Sequence, residues 1–138
     1  MNEFGDFHDG LFEGLWIDGT TAHIFLASHV PKRFVIVASM VAELIFNDVK
    51  SGNIIYDVLI QDSEEVGAAD LRALYTLKEG TAGEAQAQRL LEKVRLEQLK
   101  LLEINPSYGA SGLALAATFE LLPREDWQRR FQSVDQPS

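Results

Sequence analysis

Side chains able to do chemistry gather at two places in this 138-residue sequence. His8 and Asp9 stand side by side ahead of Gly10, and Asn105, Ser107 and Tyr108 lie within Asn105-Pro106-Ser107-Tyr108-Gly109. An imidazole beside a carboxylate can act as a general base, and a hydroxyl within its reach can act as a nucleophile. A fold that joined the two segments would make a small-molecule site or a hydrolase centre from His8, Asp9, Asn105, Ser107 and Tyr108. The local context of Ser107 is Pro-Ser-Tyr-Gly, not the G-x-S-x-G elbow of a serine hydrolase. The same residues also suit a hairpin loop whose Asn and Ser satisfy their own backbone. These five are therefore read as candidate binding residues, and none is assigned a catalytic role.

Other chemistries find less to work with. The histidines are His8, His23 and His29, with no H-E-x-x-H spacing among them. His8 reads as a turn residue and His23 as a residue on a sheet surface, so no metal site is expected. There is no cysteine, which excludes disulfides, thiolate catalysis and Cys-based zinc sites. Gly109 and Gly112 do not stand between a strand and a helix, as a phosphate cradle requires, and no cofactor is expected.

Twelve Lys and Arg against 21 Asp and Glu leave a net charge of −9. Phosphate backbones repel such a chain, so nucleic acid is not an expected partner, whereas a basic protein is. The opening MNEFGDFHDG lacks the basic region and apolar run of a secretory signal. Phe34 to Phe46, interrupted by Ser39 and Glu43, is too short to span a bilayer, so no membrane association is expected. With the absence of cysteine, these features predict a cytoplasmic protein.

The elements that must position the candidate residues follow from periodicity. Leu11 to Ile17 and Thr21 to Ala27 flank Asp18-Gly19, a strong hairpin signal. Phe34 to Met40 reads as a central strand, and Val41 to Phe46 continues it or bends away by a bulge near Ser39. Asn53 to Gln61 reads as a strand with Ile54, Tyr56, Val58 and Ile60 on one face. Asp57 falls on the other, where a carboxylate needs an edge or a partner. Ala68, Leu71, Leu74 and Tyr75 form a helical stripe stopped by Gly80. Thr81-Ala82-Gly83-Glu84 has capping-box spacing and opens a second stripe of Ala87, Leu90, Leu91 and Val94, ending between Arg95 and Gln98. Leu99 to Leu122 reads as a strand, the polar turn at 105–109 and a longer strand. Leu113, Leu115, Ala117, Phe119 and Leu121 share its core face, and Ala114 and Ala116 lie on a small-residue face beneath a helix. Trp127 and Phe131, four apart, suit one helical turn lying on the body of the protein.

The expected fold class is α+β: a single domain over residues 1–131, with a predominantly antiparallel sheet of about six strands and two helices inserted before the last two strands. Residues 132–138 read as a flexible C-terminal tail. Trp16 and Phe25, on one sheet face, would suit a homodimer if a second copy covered them.

The HDG entering a strand, GNIIYDV and LLEINPSYGASGLALA resemble a loose group of small, uncharacterised bacterial α+β proteins. Some relatives in that group are thought to be immunity proteins, each neutralising a toxin by binding it. The resemblance implies an interaction role and brings no catalytic residue with it. The combined reading is a non-enzymatic, immunity-like protein-binding module acting through an acidic surface. The alternative is a small-molecule binding protein or hydrolase with a site near the 105–109 turn.

Overall fold

The alternating runs of this sequence form an antiparallel sheet that closes on itself. The computed structural model of the chain describes residues 2–3 and 6–132. The strands are β1 (Asn2–Glu3), β2 (Leu11–Asp18), β3 (Thr21–Ala27), β4 (Arg33–Asn47), β5 (Ile54–Gln61), β6 (Lys100–Tyr108) and β7 (Ser111–Pro123). The helices are α1 (Ala68–Leu74), α2 (Thr81–Glu97) and α3 (Arg124–Phe131). Six strands run in the order β5-β2-β3-β4-β7-β6, and β6 pairs back onto β5. The two-residue β1 lies beside Leu59 and Ile60 of β5. The fold is α+β as expected, with α1 and α2 between β5 and β6. The third helix, α3, follows the last strand and was not among the two expected. The expected tail, from residue 133 onward, lies outside the described residues.

The closure is uneven. β5 and β6 pair from Ile54↔Tyr108 to Gln61↔Leu101, whereas β2 and β5 meet at the single pair Leu11↔Ile54. Backbone bonds reinforce that meeting: Phe12 N–H donates to the Asn53 carbonyl at 3.0 Å, and Ile55 N–H to the Gly10 carbonyl at 2.9 Å. The buried Asn53 side chain completes it. Its Oδ1 accepts from Lys50 N–H at 2.7 Å and Ala110 N–H at 3.0 Å, and its Nδ2 donates to the Lys50 carbonyl at 2.8 Å. One amide thus joins the β4–β5 loop to the β6–β7 turn. Gly109, at φ 88°, is required there, because a Cβ would lie 2.5 Å from Asn53 Oδ1.

Inside the barrel, Phe12, Ile24, Leu26, Ile36, Val58, Ile60, Leu102 and Ile104 form the main core, with Phe34, Phe46, Phe119 and Leu121 against it. Two outer layers cover the wall. Leu71, Leu74, Leu91 and Val94 of α1 and α2 lie on Leu101 and Leu115. Trp127 of α3 lies on Val35 and Val37, with Phe25 and Phe131 beside it.

Several expected faces are redistributed by irregularities in the ladder. Register shifts at Ile54–Ile55 and Ile55–Asp57 turn Ile55 inward, leaving Ile54 and Tyr56 exposed, so the four residues expected on one face divide. The β4 bulge falls between Val41 and Glu43, just past Ser39, next to Met40 at φ 56°. In β7, Leu113, Leu115 and Ala117 meet the helix cluster, whereas Phe119 and Leu121 join the barrel core. Ala114 faces the barrel interior and not a helix, because the narrow lumen takes small residues opposite Leu44 and Phe46. The capping box at Thr81 does not form: Thr81 is already helical and Gly80, at φ 109°, is the N-cap. The expected polar turn also moves. Asn105 to Tyr108 continue β6, and the turn falls at Gly109-Ala110. Pro106 is tolerated because it stands opposite Ile55 between the register shifts, beyond the last β6–β7 pair, Ile104↔Gly112.

Gly112 makes room for Phe46. A Cβ on Gly112 would lie 2.3 Å from the Phe46 ring. Gly112→Ala is therefore expected to destabilise the barrel by about 1–3 kcal/mol, the usual cost of overpacking. Chemical denaturation of the variant, with Gly112→Ala/Phe46→Leu recovering part of the loss, checks this.

Candidate functional site

The barrel seam decides where the candidate residues go. Asp9, at φ 64°, turns the chain, and its N–H donates to the Ile55 carbonyl at 2.9 Å. This tether brings His8 edge-on to Tyr56, with ring centroids 5.4 Å apart. His8 Nδ1 lies 3.3 Å from Asp9 Oδ2, with both side chains well exposed. Across the seam, Asn105 Nδ2 donates to Asp57 Oδ1 at 2.7 Å, which supplies the partner that the carboxylate required. Tyr108 stands opposite Ile54, and Ile54 opposite Leu11.

The structure therefore brings His8 and Asp9 onto β5, beside the strand that carries Asn105, Ser107 and Tyr108. The assembly is an open strand surface. Pro106, Ser107 and Tyr108 are exposed, and Ser107 makes no hydrogen bond to a histidine among the described residues. His8 meets Tyr56, which alternation groups with the buried Val58 and Ile60 and which is not among the candidates. Leu11, Ile54, Tyr56 and Tyr108 are 42%, 39%, 53% and 56% exposed, an apolar and aromatic patch where three strands meet.

Carboxylates border that patch. Glu103 pairs with Leu59 on the outer wall next to Asp57. Burial raises its pKa above the ordinary carboxylate value, a hydrogen bond with Gln61 opposes this, and the charges of Asp70 and Asp57 raise it further. Asp70 sits at the start of α1, where its Oδ2 accepts from Gly67 N–H at 3.0 Å. No group of three or more His, Cys, Asp or Glu among the described residues is arranged to hold a metal ion. No helix among them is long and apolar enough to cross a membrane.

His23 is not the surface residue expected from its strand. It is 1% exposed, because α3 folds across β3. Trp127 Nε1–H donates to His23 Nδ1 at 2.9 Å, and Trp16 stacks on the imidazole at 4.5 Å. An Nδ1 that accepts carries no proton, so His23 is neutral here, and burial lowers its pKa while the Asp18 charge pulls the other way. The sheet face holding Phe25 is thus covered by the chain's own α3, with Trp16 left 44% exposed at the rim. The Trp127–Phe131 spacing was the sequence signal for this cover. Nothing local in His23 announced its burial.

No family model, curated protein or solved structure matches the chain.

Two titrations test these environments. With the folded pKa of His23 below its ordinary 6.5, stability holds above that pH. It falls as pH drops below 6.5, because the unfolded chain takes the proton first. Thermal unfolding across this range is expected to give a shallower acid slope for His23→Gln than for the parent. Glu103 has the opposite sign. With its folded pKa raised above 4.5, ionisation at neutral pH costs the folded state. Glu103→Gln should raise the melting temperature at neutral pH, and the gain should shrink as pH falls towards 4.5.

Proposed function

We propose that this chain is a non-enzymatic, immunity-like protein-binding module that works in the cytoplasm by occupying a basic partner protein. The observation that carries the reading is the exposed patch of Leu11, Ile54, Tyr56 and Tyr108 at the barrel seam. Tyrosine is enriched at interface centres because it offers a large, stiff, amphipathic surface. Exposed apolar residues gathered across three strands, rather than scattered singly, mark an interaction surface. Asp9, Asp57, Glu103 and Asn105 form its polar rim, and the chain's −9 charge favours a partner of opposite sign.

The energetics of Glu103 point the same way. Burial first, and then the charges of Asp70 and Asp57, hold Glu103 against its own ionisation, and the hydrogen bond with Gln61 offsets only part of that cost to folding. Local costs of this kind concentrate at surfaces kept for a partner. The extended course of Asn105 to Tyr108 favours a flat contact over a catalytic cleft at this segment.

The test uses the immobilised protein and its Tyr56→Ala/Tyr108→Ala variant, with lysate of the source cell applied at low and high salt. The parent is expected to retain a basic protein that the variant does not, with weaker retention at high salt. Titrating the purified partner should show a loss of about 2 kcal/mol or more, roughly 30-fold in affinity, if the tyrosines are central anchors. Equal capture by parent and variant, or capture indifferent to salt, would sink the reading.

A further inference from the structure

On the outer wall over β2 and β3, where α3 begins, a groove of about 440 Å³ opens between Glu13, Phe25, Arg33, Arg124, Trp127 and Gln128. It is a shallow groove, open to solvent along its length, and not an enclosed cavity. Its charge is unlike that of the rest of the molecule. Arg33 Nε lies 3.4 Å from Glu13 Oε1, so these two groups neutralise each other. Arg124 has no such partner: among the described residues it enters no ion pair, and its buried Nε has no hydrogen-bond acceptor. Aromatic rings hold it instead. Its guanidinium lies 4.8 Å from the Phe25 ring centre and 5.8 Å from that of Trp127.

Only Nε is buried; the terminal nitrogens of Arg124 stay accessible and make no hydrogen bond or ion pair among the described residues, so an anion in the groove would be their first charged partner. Here the two rings lie close to the guanidinium at the groove wall, and no described residue pairs with its charge. From this juxtaposition we infer that the groove is a binding site for a small organic monocarboxylate with a flat apolar body. The carboxylate would accept charge-assisted hydrogen bonds from the terminal nitrogens of Arg124, and the body would lie along Phe25 and Trp127. One uncompensated positive charge suits a monoanion. A phosphate dianion would meet Glu13 and the field of a chain carrying −9. The site shares no residue with the seam patch, so the two proposals succeed or fail separately.

Benzoate and phenylacetate are suitable probes, with benzyl alcohol and inorganic phosphate as controls. Binding is read by tryptophan fluorescence and by the Trp127 indole N–H resonance. Both carboxylates are expected to saturate at millimolar concentration or below and to shift the Trp127 signal, and neither control should do so. Arg124→Gln, checked for folding by its melting curve, should weaken binding about tenfold or more. Glu13→Gln, which removes the groove's carboxylate and frees Arg33, should tighten it. The proposal is overturned if neither carboxylate saturates, if Arg124→Gln binds as well as the parent, if Glu13→Gln weakens binding, or if phosphate or benzyl alcohol binds equally.

Discussion

The rest of the structure depends on one buried amide. Asn53 holds Lys50 in the β4–β5 loop and Ala110 in the β6–β7 turn, while its backbone carbonyl holds Phe12 at the start of β2. Without it, the β4–β5 loop and the β6–β7 turn would lose the bridge between them, and closure on this side would rest on the single pair Leu11↔Ile54 and its backbone bonds. Hydrogen bonds between neutral groups contribute only about 1 kcal/mol each on balance. Their weight here comes from the alternative, a buried acceptor set and a buried Ala110 N–H left unpaired. Closure also determines the surface. It sets Leu11, Ile54 and Tyr108 in one row and swings His8 onto Tyr56.

The closed wall then carries two outer layers of different chemistry. α1 and α2 lie over β6 and β7, and the carboxylate of Asp70 at the head of α1 adds to the field around Glu103. α3 lies over β3 and β4, where Trp127 and His23 share a hydrogen bond within a nest of aromatic rings. Between them, the outer face of β5 and β6 near the seam is left open. The acidic rim and aromatic centre of that face, and the arginine groove at the start of α3, are by-products of which wall segments the helices cover.

Much of this was legible in the sequence where the governing contacts are local. The β2–β3 hairpin follows from Asp18-Gly19 between alternating runs, and Gly19 does adopt a positive φ, 62°. The two central helices follow from their 3.6-residue stripes. Closure was not legible, because β5–β6 pairing joins segments some forty residues apart through side chains that alternate as in any strand. The register shifts around Ile55 were likewise invisible and reassigned a face, whereas the β4 bulge falls close to the bend expected near Ser39. Asn105 and Tyr108 were given an outward-facing turn instead of a strand, since proline at 106 argues against pairing unless a ladder irregularity accommodates it; Tyr108 is exposed, whereas Asn105 is partly buried against Asp57. Asn53, His23 and Arg124 were missed for one shared reason. Each owes its environment to a segment distant in sequence: Ala110 for the first, α3 against β3 for the other two.

Amide hydrogen exchange in the unaltered protein reports whether the Asn53 seam closes the barrel and builds its open face. With the seam closed, Phe12, Ile55 and Ala110 exchange as slowly as Ile24 and Ile36 in the barrel wall, through opening of the whole fold. Fast exchange at Phe12, Ile55 and Ala110 alongside slow exchange at Ile24 and Ile36 would contradict it, and would mean an open sheet whose seam residues share no fixed surface.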